Sequence, residues 1–262
     1  MNVPMILAPA GGKEQFMAAV NAGADAVFLG LGKFNARRRA ENFTIQDLEE
    51  LVPLAHEYGM QVLTTLNIVI KDDELEDAIE LIAELDRLEV DAVIVQDLGV
   101  AKLVRENFPT LRLHASTQLA VHNVSGVVKA AKLGFKRVVL ARETTTTEIK
   151  RIHKVSEEYG IELEVFCHGS LCYSYSGLCF FSGANDARSG NRGECAYTCR
   201  KPYKILNEPG HGFLFSMKDL DSSETLDKLI KTGVHTLKIE GRKKDAESLT
   251  QLLQLQFYPA YH

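Results

Sequence analysis

The chain has 262 residues, of which 45% are hydrophobic, 25% charged and 8% aromatic, and its formal net charge is −5. That length can bury one sizeable core, and the acidic balance argues against a surface built to coat nucleic acid. No run approaches the ~18–20 apolar residues of a membrane span, and the first residues lack the basic and long apolar regions of a signal peptide, so a cytoplasmic protein with reduced thiols is expected.

Taken in chain order, eight apolar, mostly β-branched runs read as strands: Met5–Ala8, Ala26–Leu31, Gln61–Asn67, Ala92–Gln96, Leu111–Ala115, Arg137–Ala141, Glu162–Cys167 and Thr236–Ile239. Several follow at once on a helical stretch ending at Gly, as at Gly23, Gly134 and Gly233. Gly takes the left-handed conformation that ends a helix, and an apolar run after it suits a strand buried on both faces. Four helices stand out between the strands. Ile45–Tyr58 opens after Thr44, an N-cap type; Asp73–Leu88 carries Leu75, Ile79, Ile82 and Leu85 on one stripe; Thr144–Tyr159 and Ser222–Thr232 are similar in kind.

Alternating strands and helices over this length predict a TIM-like (β/α)8 barrel in a single domain, 1–262, with an open doubly wound sheet as the runner-up. The opening Pro9-Ala10-Gly11-Gly12 is not a dinucleotide fingerprint. The connection after the seventh strand, about 169–221, is too long for an ordinary barrel loop. Because a barrel assembles its chemistry at the C-terminal ends of its strands, this insertion is expected to fold over the mouth. The last helix, after Glu240-Gly241-Arg242, reads as short or clipped.

Four of the five cysteines, Cys172, Cys179, Cys195 and Cys199, lie in that insertion with the spacing C-x6-C-x15-C-x3-C. Structural zinc favours C-x2–4-C knuckles, which only the second pair approaches. An iron–sulfur cluster tolerates irregular spacing and needs four convergent thiolates, and plain buried or unpaired thiols are the third reading. Tyr173, Tyr175, Phe180 and Phe181 are placed to shield a cluster, and Gly169, Gly177, Gly183, Gly190 and Gly193 to let the backbone wrap it. Cys167, inside a predicted strand, reads as a small core residue. Residues 168–204 carry five Arg or Lys against two acids, and Arg37-Arg38-Arg39 forms a second basic spot.

Polar residues cluster at the predicted strand ends: Asn67, Gln96 with Asp97, Ser116 with Gln118, Arg142 with Glu143, His168, and Glu240 with Arg242. Such positions build binding sites in barrels, although Asp97 also suits a helix cap and Arg142 with Glu143 suits loop ion pairs. Hydrolase motifs are scarce. His56-Glu57 is not followed by the second His of a zinc protease, and no Gly-x-Ser-x-Gly elbow occurs. Cys172 with His168 forms a nucleophile pair on paper, but four cysteines in one insertion read better as ligands. His114 and His122 read as structural.

The segment Glu164–Ser182 closely resembles the signature of the U32 peptidase family, the collagenase-like proteases. The likeness extends to Asn191–Tyr203, Leu7–Gly11, His114–Gln118 and Ile239–Arg242. The resemblance implies an attributed collagen-degrading activity without agreed catalytic residues. It also implies kinship with proteins of tRNA wobble-uridine hydroxylation, 23S rRNA cytidine hydroxylation and oxygen-independent ubiquinone synthesis, the last of which bind a [4Fe-4S] cluster through four cysteines. Carried over by motif, Cys172, Cys179 and Cys195 are ligands and Cys199 the fourth. Asn67, Gln96, Arg142, His168, Glu240 and Arg242 would bind substrate. The tRNA-modifying members carry an additional C-terminal domain that this sequence does not show. The expectation is an iron–sulfur-dependent factor for hydroxylating RNA or a small carboxylate metabolite, with a hetero-partner of the same family. A collagenase-like peptidase and a zinc-stabilised binding module are the alternatives.

Overall fold

Nine strands form one sheet, and eight of them close it on itself. In the computed structural model, which describes residues 3–38, 41–206, 209–242 and 245–254, these are β1 Met5–Pro9, β2 Ala26–Gly30, β3 Gln61–Leu66, β4 Ala92–Val95, β5 Arg112–Ala115, β6 Arg137–Val139, β7 Glu162–Gly169, β8 Leu220–Asp221 and β9 Thr236–Ile239. Strands β1 to β6 pair in sequence, β1 also pairs with β9, β9 with β7, and β7 with β6, all parallel. The two-residue β8 runs antiparallel to the end of β7, outside that ring. The helices are α1 Lys13–Asn21, α2 Ile45–Glu57, α3 Leu75–Arg87, α4 Leu98–Asn107, α5 Val124–Lys132, α6 Thr146–Glu158, α7 Phe181–Asp186, α8 Leu226–Ile230 and α9 Ala246–Leu252. No helix is long and apolar enough to cross a membrane among the described residues.

The alternation along each strand sorts side chains between two layers. Val27, Val62, Val93, Val138, Leu163 and Leu237 face outward and join Phe16, Leu48, Ile82, Val104 and Ile152 of the helices in one buried cluster. Leu7, Ala26, Phe28, Leu63, Ala92 and Ile94 face inward and fill part of the barrel. The interior also holds charges. Arg137 of β6 bonds Glu162 of β7 at 2.7 Å and stands 3.5 Å from Glu164, which takes the Lys238 ammonium of β9 at 2.8 Å. Arg137, Glu164 and Lys238 are all buried. Neighbouring strands thus carry alternating signs, which is what makes three buried charges tolerable side by side.

The expected strands are all present, with ends that differ for local reasons. The sixth stops at Val139 because the Ala141 N–H leaves the ladder for the Val121 carbonyl, at 2.8 Å. The seventh runs on to Gly169, so His168 belongs to the strand and the insertion spans 170–219. Thr44 caps α2 as expected, and Asp47 completes a reciprocal box by accepting the Thr44 N–H at 2.8 Å. Asp97 caps α4 through the Gly99 N–H at 2.8 Å. The helix expected over Ser222–Thr232 shrinks to Leu226–Ile230, preceded by a 3-10 turn and without a side-chain cap. The last helix is assigned over Ala246–Leu252, and residues 255–262, where its expected short end falls, lie outside the described residues.

Candidate active site at the barrel mouth

The loop after β2 brings the least expected cation to the mouth. Asn67, at the end of β3, accepts the Ala36 N–H at 2.9 Å. Asn35 accepts the Arg37 N–H at 2.8 Å and the Arg242 guanidinium at 2.9 Å. Held this way, Arg37 reaches the Glu240 carboxylate, 3.3 Å away. Arg142, from the loop after β6, approaches the other oxygen of Glu240 at 3.1 Å, stacks on Phe166 at 3.9 Å and bonds the Ser170 carbonyl at 2.7 Å. The Glu240 backbone is fixed by its N–H donating to the His168 carbonyl at 2.9 Å.

Burial by itself would raise the Glu240 carboxyl, but Arg37, Arg142 and Arg242 outweigh it and hold the group down at about 2. The effect on the cations is uneven. Glu240 pushes Arg37 up, burial pulls Arg142 down, and burial brings Arg242 to about 10. Three guanidinium groups around one carboxylate leave the mouth with a cationic excess.

Two cavities meet at this arrangement. The inner one, about 120 Å³, has apolar walls from Phe28, Ile94, Val139 and Phe166, and polar ones that include Asn67 and Gln118. The outer one, about 340 Å³, is lined by Cys172, Cys195, Cys199, Tyr197 and Arg200. Arg37, Arg142, Glu240 and Cys172 border both.

The cysteine insertion is pinned over the mouth by several contacts. Glu143 accepts the Ser176 N–H at 2.8 Å and its hydroxyl at 2.6 Å, fixing a non-glycine residue at φ +43°. Arg192 grips Glu74 with both terminal nitrogens, at 2.9 and 2.6 Å, and the Val69 carbonyl at 2.7 Å. Gly193, at φ +78°, lies against the Asn35 carbonyl, where a side chain would collide. Tyr173, Phe181, Tyr203 and Phe215 form an aromatic knot with centroid separations from 5.1 to 6.2 Å.

Within this insertion the sulfurs already receive backbone donors. The Phe181 N–H points to the Cys179 sulfur at 3.3 Å and the Tyr197 N–H to the Cys195 sulfur at 3.4 Å. A side chain at Gly190 would meet the Cys179 carbonyl at 3.7 Å and the Cys195 Cβ at 4.0 Å, which places the second cysteine beside the third. The Cys199 thiol is pushed up, first by burial and then by the neighbouring Cys172 and Cys195. The four cysteines are the donors such a centre would need. Among the described residues, however, no group of three or more His, Cys, Asp or Glu side chains is arranged to hold a metal ion. Cys172, Cys195 and Cys199 gather round the outer cavity without closing to ligand distance, and Cys179 stands beside Cys195 outside its walls.

The structure brings Asn67, Arg142, Glu240 and Arg242 together, but places Gln96 and His168 outside the walls of both cavities. Gln96 is buried, with its Oε1 unpartnered among the described residues. The register with β9 shifts between Phe166 and His168, breaking the alternation that would have set His168 next to Phe166; it stands instead 4.0 Å from Asp221 of β8. Phe180 is 82% exposed and Tyr175 is exposed, so of the expected aromatic shield Phe181 and the half-exposed Tyr173 belong to the knot. Gly183 has open space around it and permits no close approach. Cys167 is buried, its thiol pushed up to about 12 by burial, and donates to the Lys238 carbonyl. His114 is buried between strands, while His122 packs edge-on against Tyr175.

Arg37 and Lys238 were not among the expected mouth residues. Lys238 was detectable, since it lies two residues before Glu240 and shares its inward face. Arg37 belonged to a recognised basic spot, but nothing in the sequence set its reach.

A closed parallel barrel with a cysteine-bearing insertion over its mouth defines the class. The model of Peptidase family U32 matches residues 11–258, and the chain belongs to that family. It is 42% identical over 245 residues to the 23S rRNA 5-hydroxycytidine C2501 synthase of Escherichia coli, covering 92% of this chain and 36% of that protein. It is 37% identical over 252 residues to tRNA hydroxylation protein P1 of Bacillus subtilis, covering 92% and 59%. The chain thus spans less than two-thirds of the length of either relative. Among solved structures, the U32 peptidase Mk0906 superimposes with a TM-score of 0.61 at 13% identity, over 94% of this chain and 95% of that one, a likeness of fold.

Proposed function

We propose that this chain is the barrel of a nucleobase-hydroxylating RNA-modification protein, with a [4Fe-4S] cluster held by Cys172, Cys179, Cys195 and Cys199. The observation that carries the reading is the pair of adjoining cavities, one walled by three of these cysteines and the other by polar strand ends, with Cys172 common to both. The names of the two relatives supply the reaction class. When bound there, such a cluster supplies one-electron transfer. The protein's own residues do the rest. The N–H groups of Phe181 and Tyr197 stabilise negative charge on sulfur. Arg37 and Arg142 keep Glu240 ionised at the boundary, and the cationic mouth attracts a phosphate-bearing polymer. A small carboxylate is the alternative ligand for the same cations. The reaction takes place in the cytoplasm, where the thiols stay reduced.

Anaerobic purification with a visible spectrum and iron and sulfide counts tests this. A brown protein absorbing broadly near ~400 nm, bleached in Cys195→Ala, is the expected result. A colourless protein with one zinc per chain sinks the cluster and leaves the zinc-stabilised module. The family's description favours a second reading, a peptidase. Gelatin cleavage by the purified protein, abolished by one substitution at the mouth, would establish it.

A further inference from the structure

The cations of the inner cavity are already committed to partners inside the protein. Arg37 and Arg142 serve Glu240, Arg242 serves Asn35, and Lys238 serves Glu164. A charged ligand would have to break these buried contacts to be recognised. The groups left open are of another kind. The Oε1 of Gln118 is buried and has no partner among the described residues. Asn67 accepts the Ala36 N–H at its Oδ1 and lines the same cavity. Ile94, Val139, Phe28 and Phe166 give the cavity apolar patches, with the Lys238 ammonium 4.2 Å over the Phe28 ring and the Arg142 guanidinium 3.9 Å over Phe166.

A small cavity that combines apolar patches, an open amide oxygen and cations already committed to partners fits an uncharged ring whose rim hydrogen-bonds. Its size agrees. About 120 Å³ has room for roughly four waters at about 30 Å³ each, the scale of one small ring without its ribose and phosphate.

We propose that the inner cavity receives a single pyrimidine base turned out of an RNA strand, and that Gln118 reads its hydrogen-bonding edge. Chemistry on a base inside a stacked strand requires such extrusion. The sugar and phosphates stay outside, where the cationic excess of the mouth and insertion meets them without base preference. The base then lies across the Arg37–Glu240–Arg142 partition from the outer cysteine cavity. This inference rests on the RNA reading above and adds to it the subsite and the residue that reads the base.

The test uses anaerobically purified protein and single-stranded adenosine nonamers carrying one central cytidine, uridine or abasic ribose, at one fixed salt concentration. The pyrimidine nonamers bind about tenfold more tightly than the abasic one. Gln118→Leu brings them down to the abasic affinity and leaves the abasic nonamer unchanged; a melting curve checks that the variant is folded. A second measurement needs no variant. Pyrrolocytidine at the central position gains fluorescence with the wild-type protein as it leaves its adenosine neighbours. If the nonamers bind equally with or without the central base, and pyrrolocytidine does not respond, the base subsite is overturned while RNA binding stands. If no nonamer binds, the RNA reading itself falls, and the subsite with it.

Discussion

The barrel body and the insertion across its mouth are held together by different physics. The body rests on inward and outward apolar layers and on the buried Arg137–Glu164–Lys238 run. The insertion has short helical turns, an aromatic knot and polar clamps, and it leaves Phe180, Phe213 and Leu214 exposed. The first region is packed and the second is clamped. A substitution should therefore reveal its region by whether it lowers global stability or only loosens the mouth.

The largest effect is expected from Glu164→Ala, which leaves the buried Lys238 ammonium without its carboxylate. It should cost about 3–5 kcal/mol in denaturant unfolding, because an unpaired buried charge keeps its full desolvation penalty. A loss under about 1 kcal/mol would mean that water reaches the barrel interior.

A pH dependence from the same interior comes next. Burial, and then Arg137, Arg112 and Lys238, hold His114 well below its ordinary 6.5. The unfolded chain therefore takes up a proton near pH 6.5 that the folded chain refuses. The His114 contribution is intact above that pH and is lost progressively as the pH falls toward its depressed folded value. The slope reaches about 1.4 kcal/mol per pH unit. His235, lowered first by burial, acts in the same direction. Unfolding curves between pH 7 and 5 should flatten in His114→Leu, and an unchanged slope would assign the acid sensitivity elsewhere.

Arg192→Ala probes the insertion. It removes a partly exposed two-pronged contact with Glu74, worth about 1 kcal/mol. Limited proteolysis between 170 and 219 should accelerate while the melting temperature stays nearly constant. Equal loss in both would show that insertion and barrel unfold as one unit. The smallest effect belongs to Phe180→Ser, within about 0.5 kcal/mol, because its ring is 82% exposed.

The same division explains what the sequence disclosed. The strands were legible because barrel strands buried on both faces read as apolar runs, several with Gly before them, and Thr44 announced its helix through cap chemistry. Helices α1, α4 and α5 were harder to single out, being short stretches of Ala, Val and Lys. The mouth was legible where a polar residue ended a regular strand, as at Asn67 and Glu240. It was not where regularity failed. The shift between Phe166 and His168 is a property of how β7 meets β9, and the position of Arg37 depends on Asn35 and Asn67 acting from two different loops. The gathering of Cys172, Cys195 and Cys199 needed only the idea of an insertion folded over a barrel.

The short strand β8 has a consequence for how this fold can change. His168 is paired with Asp221 and Gly169 with Leu220, so the chain departs for the insertion and returns from it at adjacent points. Strands paired in this way lie about 5 Å apart. The barrel therefore treats everything between them as a hairpin loop of arbitrary length. A cassette of different length or composition fits between the same two residues without disturbing a strand, so the covering of the mouth can change while the barrel beneath it stays as it is.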